Sequence, residues 1–189
     1  MDVFYVISNE LKDPGQKTAR YIRDCLEKQG KTCYLQENSE SALPGHYRYT
    51  DAGQIPEETE CVLVLGGDGT LLQAARDLVD RSLPLLGVNM GTLGYLAEVE
   101  RKNLPEVLDR LIENRFSIGE RMMLSGAAWH QGRVLLRDIA LNDIVITRNG
   151  RMRVVDFNIY VDGVFLSSYA ADGIILSTPT GSTGYNLSA

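Results

Sequence analysis

The sequence predicts an α/β domain with a mostly parallel sheet, followed by an all-β domain. Before Arg115, short apolar runs alternate with segments in which apolar residues recur at the 3.6-residue period of a helix. After Arg115 the apolar period falls to two, which is typical of strands with one buried face. We place the boundary between Phe116 and Arg121, so that the first domain spans residues 1–118 and the second spans 119–189.

The first domain opens with a predicted buried strand at residues 3–7. Asp13 is expected to cap the helix that follows, because Pro14 suits the first turn and Gln16 stands at capping-box spacing. Residues 37–59 are polar and too long for an ordinary connection, which predicts a lid or a disordered loop. The other predicted elements are strands at 32–35, 61–65 and 84–89, a helix over 71–79, and a helix capped by Asn103 with Glu106 at capping-box spacing.

The second domain is predicted from alternating apolar and polar residues. Residues 155–161 alternate strictly, and Asp162-Gly163 supplies a hairpin turn before the next apolar run. Further strands are predicted at 139–147 and 173–177. No internal repeat or low-complexity segment is visible in the sequence.

The composition indicates a soluble globular protein and argues against several partners. The chain has 189 residues, 44% of them hydrophobic, and a net charge of -6 without any basic run, which argues against nucleic-acid binding. The chain shows neither a signal-peptide pattern nor an apolar segment of membrane-spanning length, so no membrane contact and a cytoplasmic location are expected.

The cysteines and histidines lack the spacing of metal ligands. Cys25, Cys33 and Cys61 are odd in number, which favours reduced packing residues over a disulfide framework. His46 and His130 are isolated in the sequence. We therefore expect no metal site made of protein side chains alone.

Residues 66–70, Gly-Gly-Asp-Gly-Thr, lie between an apolar run and a helical pattern. Backbone N–H groups and the positive end of a helix dipole converge at such a turn, so it can bind phosphate. A carboxylate beside phosphate is repelled unless a metal ion or a transferable proton lies between them, so Asp68 indicates phosphoryl transfer. Thr70 and Gln73 also have capping-box spacing, and a capped helix without a ligand is an alternative.

Two further segments break local rules. Asn142 and Asp143 interrupt an otherwise apolar strand, which indicates either a bend or a pair of side chains that bind a polar ligand. Residues 177–186 form a Ser/Thr/Gly-rich loop that offers hydroxyl groups and the ring of Tyr185. A similar polar turn covers residues 89–95.

Together these motifs resemble those of the NAD kinase family, whose members phosphorylate NAD to NADP with ATP. The resemblance rests on residues 66–72, 87–96, Asn142-Asp143 and 172–185. The first motif alone is shared with phosphofructokinases and with diacylglycerol and sphingosine kinases. The resemblance implies that Asp68 is the base for the adenosine 2′-hydroxyl, and that Gly66, Gly67, Gly69 and Thr70 handle phosphates with a divalent ion, magnesium above all.

The resemblance also implies how the dinucleotide is bound. Asn142 and Asp143 would contact its ribose and adenine, with Tyr95 as an aromatic wall. The family implies a homo-oligomer, a dimer or a tetramer, with NAD and ATP as substrates. The other positions that match family contacts are Asn89, Arg153, Asp172, Thr180, Thr183, Gly184, Tyr185, Asn186 and Ser188.

Two departures from the family pattern affect the interpretation. The family usually has glutamate at the position of Asp143, and a shorter carboxylate can make the same contacts. Family members also continue past the position of Ala189 through further strands, which implies that the β domain in this sequence is truncated. Two alternatives follow: a lipid or sugar kinase that shares only the glycine-aspartate motif, and a non-catalytic dinucleotide-binding fragment.

Overall fold

The computed structural model confirms the predicted fold class, an α/β part followed by a β part. The chain divides into two compact units, Met1–Gly119 and Glu120–Ala189. The residues that the structure describes are 1–37, 50–91, 94–150 and 154–189.

The first unit contains a parallel sheet of five strands. The strands are β1 (Val3–Ser8), β2 (Thr32–Leu35), β3 (Cys61–Gly66), β4 (Leu85–Asn89) and β5 (Val99–Glu100). Their order in the sheet is β2-β1-β3-β4-β5. All six residues of β3 are buried, as expected for a strand covered on both faces. The chain passes from β1 to β2 on one side and then to β3 on the other, so the sheet reverses its winding between β1 and β3.

Three helices cover the two faces of this sheet: α1 (Lys17–Lys28), α2 (Asp68–Asp77) and α3 (Leu104–Ile112). Because side chains alternate along a strand, β1 and β3 contribute to both layers. The layer under α1 and α3 contains Phe4, Val6, Ile22, Leu26, Leu63, Leu65, Leu104 and Leu108. The layer under α2 contains Tyr5, Ile7, Val62, Val64, Leu71, Ala74 and Leu78.

Two predicted capping boxes are wrong. Gln16 has φ 53° and is the last residue of a short 3-10 turn, Pro14–Gln16, which separates Asp13 from α1. The Asp13 carboxylate instead accepts from the backbone N–H groups of Thr18 (2.9 Å) and Ala19 (3.0 Å). Asn103 likewise precedes α3 without a side-chain capping bond.

Residues 50–59 are anchored to the first unit rather than forming a free lid. The backbone N–H of Thr50 donates to the buried carboxylate of Asp77 at 3.0 Å. The Arg81 guanidinium donates to the carbonyl oxygens of Ile55 (2.9 Å) and Pro56 (3.1 Å). The rest of the predicted loop, residues 38–49, lies outside the described residues.

In its described part, the second unit contains six strands and one short helix. The elements are β6 (Leu124–His130), β7 (Arg133–Ala140), β8 (Asp143–Thr147), β9 (Val155–Val161), β10 (Val164–Ala171), β11 (Gly173–Ser177) and α4 (Tyr185–Ser188). The strands form three antiparallel pairs: β6 with β7, β8 with β11, and β9 with β10. Asp162 and Gly163 both have positive φ, 51° and 79°, which confirms the predicted hairpin turn. The single strand predicted at 139–147 is wrong, because β7 pairs with β6 whereas β8 pairs with β11.

The cysteines are free thiols, as predicted from their spacing. Burial raises the pKa of Cys33 and of Cys61 to about 12 in each case, so both remain protonated packing residues at neutral pH. His130 ends β6 and is exposed, whereas His46 lies outside the described residues.

Within the described ranges, we find no helix that is both long enough and apolar enough to cross a membrane.

Candidate active site

The glycine-aspartate turn lies where the winding of the first unit reverses. The carboxyl ends of β1, β3 and β4 carry Asn9, Gly66 and Asn89, and neighbouring parallel strands bring these ends to one edge of the sheet. Asn9 and the segment after Gly66 flank the switch point between β1 and β3. Ligands of open α/β sheets bind in this position, so the turn is a candidate site of the first unit.

Backbone geometry explains why glycine begins the turn. A Cβ on Gly66 would lie 2.3 Å from the Thr70 hydroxyl oxygen, so no other residue leaves room for Thr70. Gly67 is the extended residue before α2, and the helix begins at Asp68. Thr70 therefore lies inside the first turn, and the alternative in which it caps the helix is wrong.

The Asp68 side chain accepts three backbone N–H bonds from one loop. Tyr95 donates to Oδ2 at 2.8 Å, while Leu96 and Ala97 both donate to Oδ1 at 3.0 Å. A Cβ on Gly94 would lie 2.1 Å from Oδ1, so glycine is needed for the loop to approach the carboxylate. The structure thus joins two of the predicted motifs, the glycine-aspartate turn and the polar turn at residues 89–95.

The hydrogen bonds determine the charge state of Asp68. Burial opposes ionisation, but the N–H bonds from Ala97, Tyr95 and Leu96 outweigh it and hold the pKa of Asp68 below its usual 3.8. The Lys12 ammonium lowers the pKa further. Asp68 is therefore a carboxylate at neutral pH.

Asn89 and Tyr95, two other predicted residues in the first unit, have different surroundings. Asn89 is buried, and its Oδ1 accepts from the backbone N–H of Gly91 at 2.7 Å. The Tyr95 side chain is 65% exposed, so its ring is free to stack on a planar ligand. Thr92 lies outside the described residues.

The second unit has a candidate site of its own, where Asn142 meets the Ser/Thr/Gly-rich loop. The Asn142 carbonyl accepts from the Thr178 N–H at 2.8 Å. The buried Thr178 hydroxyl donates to the Leu141 carbonyl at 2.6 Å and accepts from the Gly181 N–H at 3.1 Å. A Cβ on Gly181 would lie 2.3 Å from the Asn142 oxygen, so this contact requires glycine.

Asn142 carries a buried polar atom without a hydrogen-bond partner among the described residues. Its Oδ1 is buried, and no donor among the described residues is bonded to it. Asp143, the first residue of β8, stands opposite Ser177 of β11, whose hydroxyl oxygen is likewise buried without a partner in the described part of the chain. Buried oxygens without partners are costly, so this corner fits a polar ligand or water.

An open pocket of about 860 Å³ in the second unit contains three of the predicted residues, Asp172, Tyr185 and Asn186, among its lining. Asp172 forms an ion pair with Arg148 at 2.8 Å, a residue that the sequence analysis did not single out. Tyr185 is 71% exposed. Phe157, Ile174 and Ile175 also line the pocket, which is therefore largely apolar, with the charged pair at one side.

The remaining predicted residues lie on the loop and the short helix α4. Thr180 accepts from the Arg121 guanidinium at 3.5 Å, and Thr183 is exposed. Ser188 donates to the carbonyl of Gly184 at 3.3 Å, which closes the single turn of α4. Arg153 lies outside the described residues.

Besides Arg148, two residues complete these contacts that the sequence did not single out individually, although one of them, Thr178, lies in the predicted loop. Lys12 lies beside Gly67, and Thr178 ties the two segments of the second unit together. Lys12 follows the first strand, so a prediction that β1 and β3 are neighbours would have pointed to it. Thr178 precedes Pro179 in the loop, but its partner is more than thirty residues away and no local pattern indicates it.

Family models match both units. A model described as the ATP-NAD kinase N-terminal domain matches residues 12–116, and one described as the ATP-NAD kinase C-terminal domain matches residues 141–189. The chain belongs to the NAD kinase family. The second match includes Asn142, Asp143 and Thr183, so the likeness extends beyond the glycine-aspartate motif that other kinases share.

Relatives in this family resemble the chain along its whole length. It is 46% identical over 189 residues to an NAD kinase of Lachnospira eligens. That match covers 100% of the chain and 64% of the relative. It is 45% identical to an NAD kinase of Lachnoclostridium phytofermentans, and this match covers 100% of the chain and 66% of the relative. The chain thus spans about two thirds of the length of these NAD kinases.

Solved structures of two other kinases share the fold. Yeast NADH kinase, crystallised with NADH, matches with a TM-score of 0.79 and 25% identity over 100% of the chain and 60% of that structure. An NAD kinase from Archaeoglobus fulgidus in complex with ATP matches with a TM-score of 0.71 and 25% identity. This match covers 99% of the chain and 65% of that structure.

Proposed function

We propose that the protein transfers the terminal phosphoryl group of ATP to the 2′-hydroxyl of the adenosine ribose of NAD, which forms NADP. The observation that carries this proposal is the position of Asp68, a carboxylate on the first turn of α2 beside a glycine backbone at the switch point of the sheet. The NAD kinase relatives support NAD as the acceptor, and the related structures with NADH and ATP support both substrates.

In this reaction the ribose oxygen forms a bond to the terminal phosphorus while the bond from that phosphorus to the bridging oxygen breaks, and ADP leaves. Asp68 takes the hydroxyl proton. Its Oδ2 accepts one N–H bond whereas Oδ1 accepts two, so Oδ2 has the freer lone pair. Because its pKa is low, Asp68 is ionised beforehand and accepts the proton late, when the new oxygen–phosphorus bond is forming.

The dinucleotide contacts are proposed for the residues that match the family pattern. Asn142 supports this role best, since its buried Oδ1 has no donor among the described residues and a hydroxyl or amino group of the adenosine part would supply one. Asp143 would accept from the ribose or adenine, and the exposed ring of Tyr95 would stack on a planar group. The other proposed contacts are Gly66, Gly67, Gly69, Thr70, Asn89, Arg153, Asp172, Thr180, Thr183, Gly184, Tyr185, Asn186 and Ser188.

A divalent ion, with magnesium preferred, belongs to the proposal as the companion of the ATP phosphates. The described ranges contain no group of three or more acidic, histidine or cysteine side chains placed to hold a metal. Mg²⁺ is usually ligated by phosphates and waters with one or two carboxylates. The chain therefore fits an ion that arrives with the nucleotide and neutralises its charge.

We also propose that the complete protein is a cytoplasmic homo-oligomer, a dimer or a tetramer, with domains at 1–118 and 119–189. The family resemblance supports the oligomer, and the charge and hydropathy of the sequence support the location.

The proposal is tested by incubating the 189-residue chain with NAD, ATP and Mg²⁺ and measuring NADP with an NADP-specific dehydrogenase. We expect NADP to form, and to form equally in an Asp24→Asn control, because Asp24 is exposed on α1. NAD binding by calorimetry without NADP formation would instead support the non-catalytic dinucleotide-binding alternative. Phosphorylation of a lipid or sugar without NADP would support the other kinase alternative.

A further inference from the structure

Lys12 occupies the space beside Gly67 that a side chain at that position would need. Its Nζ lies 2.6 Å from the position of a Cβ built on Gly67, so the ammonium is directly above the backbone of the glycine turn. A residue with a side chain at this position would displace the ammonium. The pairing of glycine and lysine therefore places a cation against the turn.

The loop that carries Lys12 is held in place by hydrogen bonds around Asn9. The Asn9 N–H donates to the Leu65 carbonyl at 3.0 Å, which continues the contact between β1 and β3. The N–H of Lys12 donates to the Asn9 carbonyl at 2.9 Å, and the Asn9 side chain donates to the Thr70 hydroxyl at 3.4 Å. Lys12 thus starts from a fixed backbone, while its side chain is exposed and can reach a ligand.

The charges at the turn call for such a cation. A phosphate chain on the turn would lie close to the Asp68 carboxylate, and two anions at short range repel each other. The Lys12 ammonium is close enough to Asp68 to lower its pKa, so it acts on the same space. A lysine there offsets the repulsion without a bidentate geometry, as a compact point charge.

We infer that Lys12 binds the phosphate chain of the phosphoryl donor where it lies on the glycine turn of residues 66–70. This inference rests on the proposed function and adds a residue to its site. The donor is favoured over NAD, because the ammonium lies next to the residue before Asp68, where the phosphoryl group is transferred to the hydroxyl.

Calorimetry with the 189-residue chain tests the inference, with ATP, inorganic tripolyphosphate and NAD as separate probes. Lys12→Met should weaken binding of ATP and of tripolyphosphate by about tenfold or more, the usual effect of losing a charge-assisted hydrogen bond. NAD binding should change by less than about twofold on that basis, and Lys12→Arg should retain most of the affinity for ATP. Lys28→Met is the matched control, since Lys28 is an exposed lysine and the last residue of α1.

Equal ATP affinity in the unaltered chain and in Lys12→Met would overturn the inference and leave the proposed function standing. Equal losses in Lys12→Met and Lys28→Met would also overturn it, because they would reflect net charge alone. If Lys12→Met lowered the affinity for NAD alone, Lys12 would contact the acceptor substrate, which would contradict the assignment to the phosphoryl donor. Failure of the unaltered chain to bind ATP would contradict the inference and the proposed function together.

Discussion

Asp68 accepts hydrogen bonds from a loop and is also the proposed base, and the two roles favour different pKa values. Three N–H bonds from residues 95–97 stabilise its ionised form, whereas a stronger base would have a higher pKa. Phosphoryl transfer tolerates this, since the hydroxyl becomes acidic only as its oxygen bonds to phosphorus. The loop therefore keeps Asp68 ionised and fixed without preventing proton transfer.

Asp68→Asn should lower kcat by at least about 100-fold, the usual contribution of general base catalysis, because an amide cannot take the hydroxyl proton. NAD binding should remain within about threefold, since most of the proposed dinucleotide contacts come from other residues. The NADP-forming assay and calorimetry measure these two quantities. Full activity of Asp68→Asn would contradict the assignment of Asp68 as the base.

The pH dependence of the reaction gives a second prediction for the same carboxylate. The pKa of Asp68 is lowered from 3.8, so Asp68 is already ionised throughout the range above about pH 5. Initial rates should therefore show no acidic limb from this group between about pH 5 and 7. An acidic limb in that range that disappears in Asp68→Asn would contradict the prediction.

Gly94→Ala separates the loop from the carboxylate. The new Cβ would lie 2.1 Å from Asp68 Oδ1, so either the loop or the carboxylate must move. We expect the free energy of unfolding to fall by about 1–3 kcal/mol, as in other overpacked sites, together with a loss of kinase activity. Gly91→Ala is the control, because a Cβ there meets nothing within 4 Å, and its stability should change by less than about 0.5 kcal/mol. Equal stability of the two variants in urea unfolding would refute the contact.

The individual residues of the site were predictable where their roles are local. A strand, a glycine turn and a helix adjoin in the sequence, so residues 66–70 could be recognised as one motif. Lys12 and Thr178 could not, because each acts on a segment that is distant in the chain. Asn142 was recognised as a break in a strand, but the reason for the break, a carbonyl shared with Thr178, depends on tertiary contact.

At the scale of elements, the predicted strands and helices agree best where the apolar pattern is strong. β2 and β11 have the bounds expected from their sequences, and α1 buries Ala19, Ile22 and Leu26 as predicted. The errors concern where a helix begins and which strands pair with each other. The helix cap depends on a 3-10 turn that spacing does not reveal, and the division at residues 141–142 depends on which strand each half pairs with.

The start of α1 depends on one buried carboxylate. Asp13 is 3% exposed and accepts from Thr18 and Ala19, so Asp13→Asn should lower the free energy of unfolding by about 1–2 kcal/mol at pH 7. Asp24→Asn on the exposed face of the same helix should change it by less than about 0.5 kcal/mol. Urea unfolding of the three proteins measures both effects, and equal stability of the two variants would contradict the capping role.

The difference between the unaltered chain and Asp13→Asn should also depend on pH. Burial opposes ionisation of Asp13, but N–H bonds from Thr18 and Ala19 outweigh it and lower the pKa from 3.8. The contribution of the Asp13 carboxylate to the free energy of unfolding is therefore fully present above about pH 4. It is lost as the pH falls through the pKa that Asp13 has in the folded state. The two unfolding free energies should converge below about pH 4, and a constant difference would contradict this account.

At the scale of the molecule, the two units differ in how much apolar surface they bury. Both core clusters consist of residues from the first unit. In the described part of the second unit, Leu141 is the one hydrophobic residue that counts as buried, and Leu135, Val164 and Leu166 are more than half exposed. Each of its sheets has two strands, and isolated two-stranded sheets are marginally stable in water.

This difference predicts unequal protection from hydrogen exchange in the 189-residue chain. Amides of β1, β3 and α1 should exchange only through global unfolding, because their side chains form the core. Amides of β9 and β10 should exchange at least about 100-fold faster, since opening that hairpin exposes little additional apolar surface. Mass spectrometry of peptides from both units measures the ratio, with α3 as an internal reference in the first unit. Equal protection in β3 and β9 would show that the strands of the second unit are stabilised as strongly as the parallel sheet, and that apolar burial within this chain does not determine its local stability.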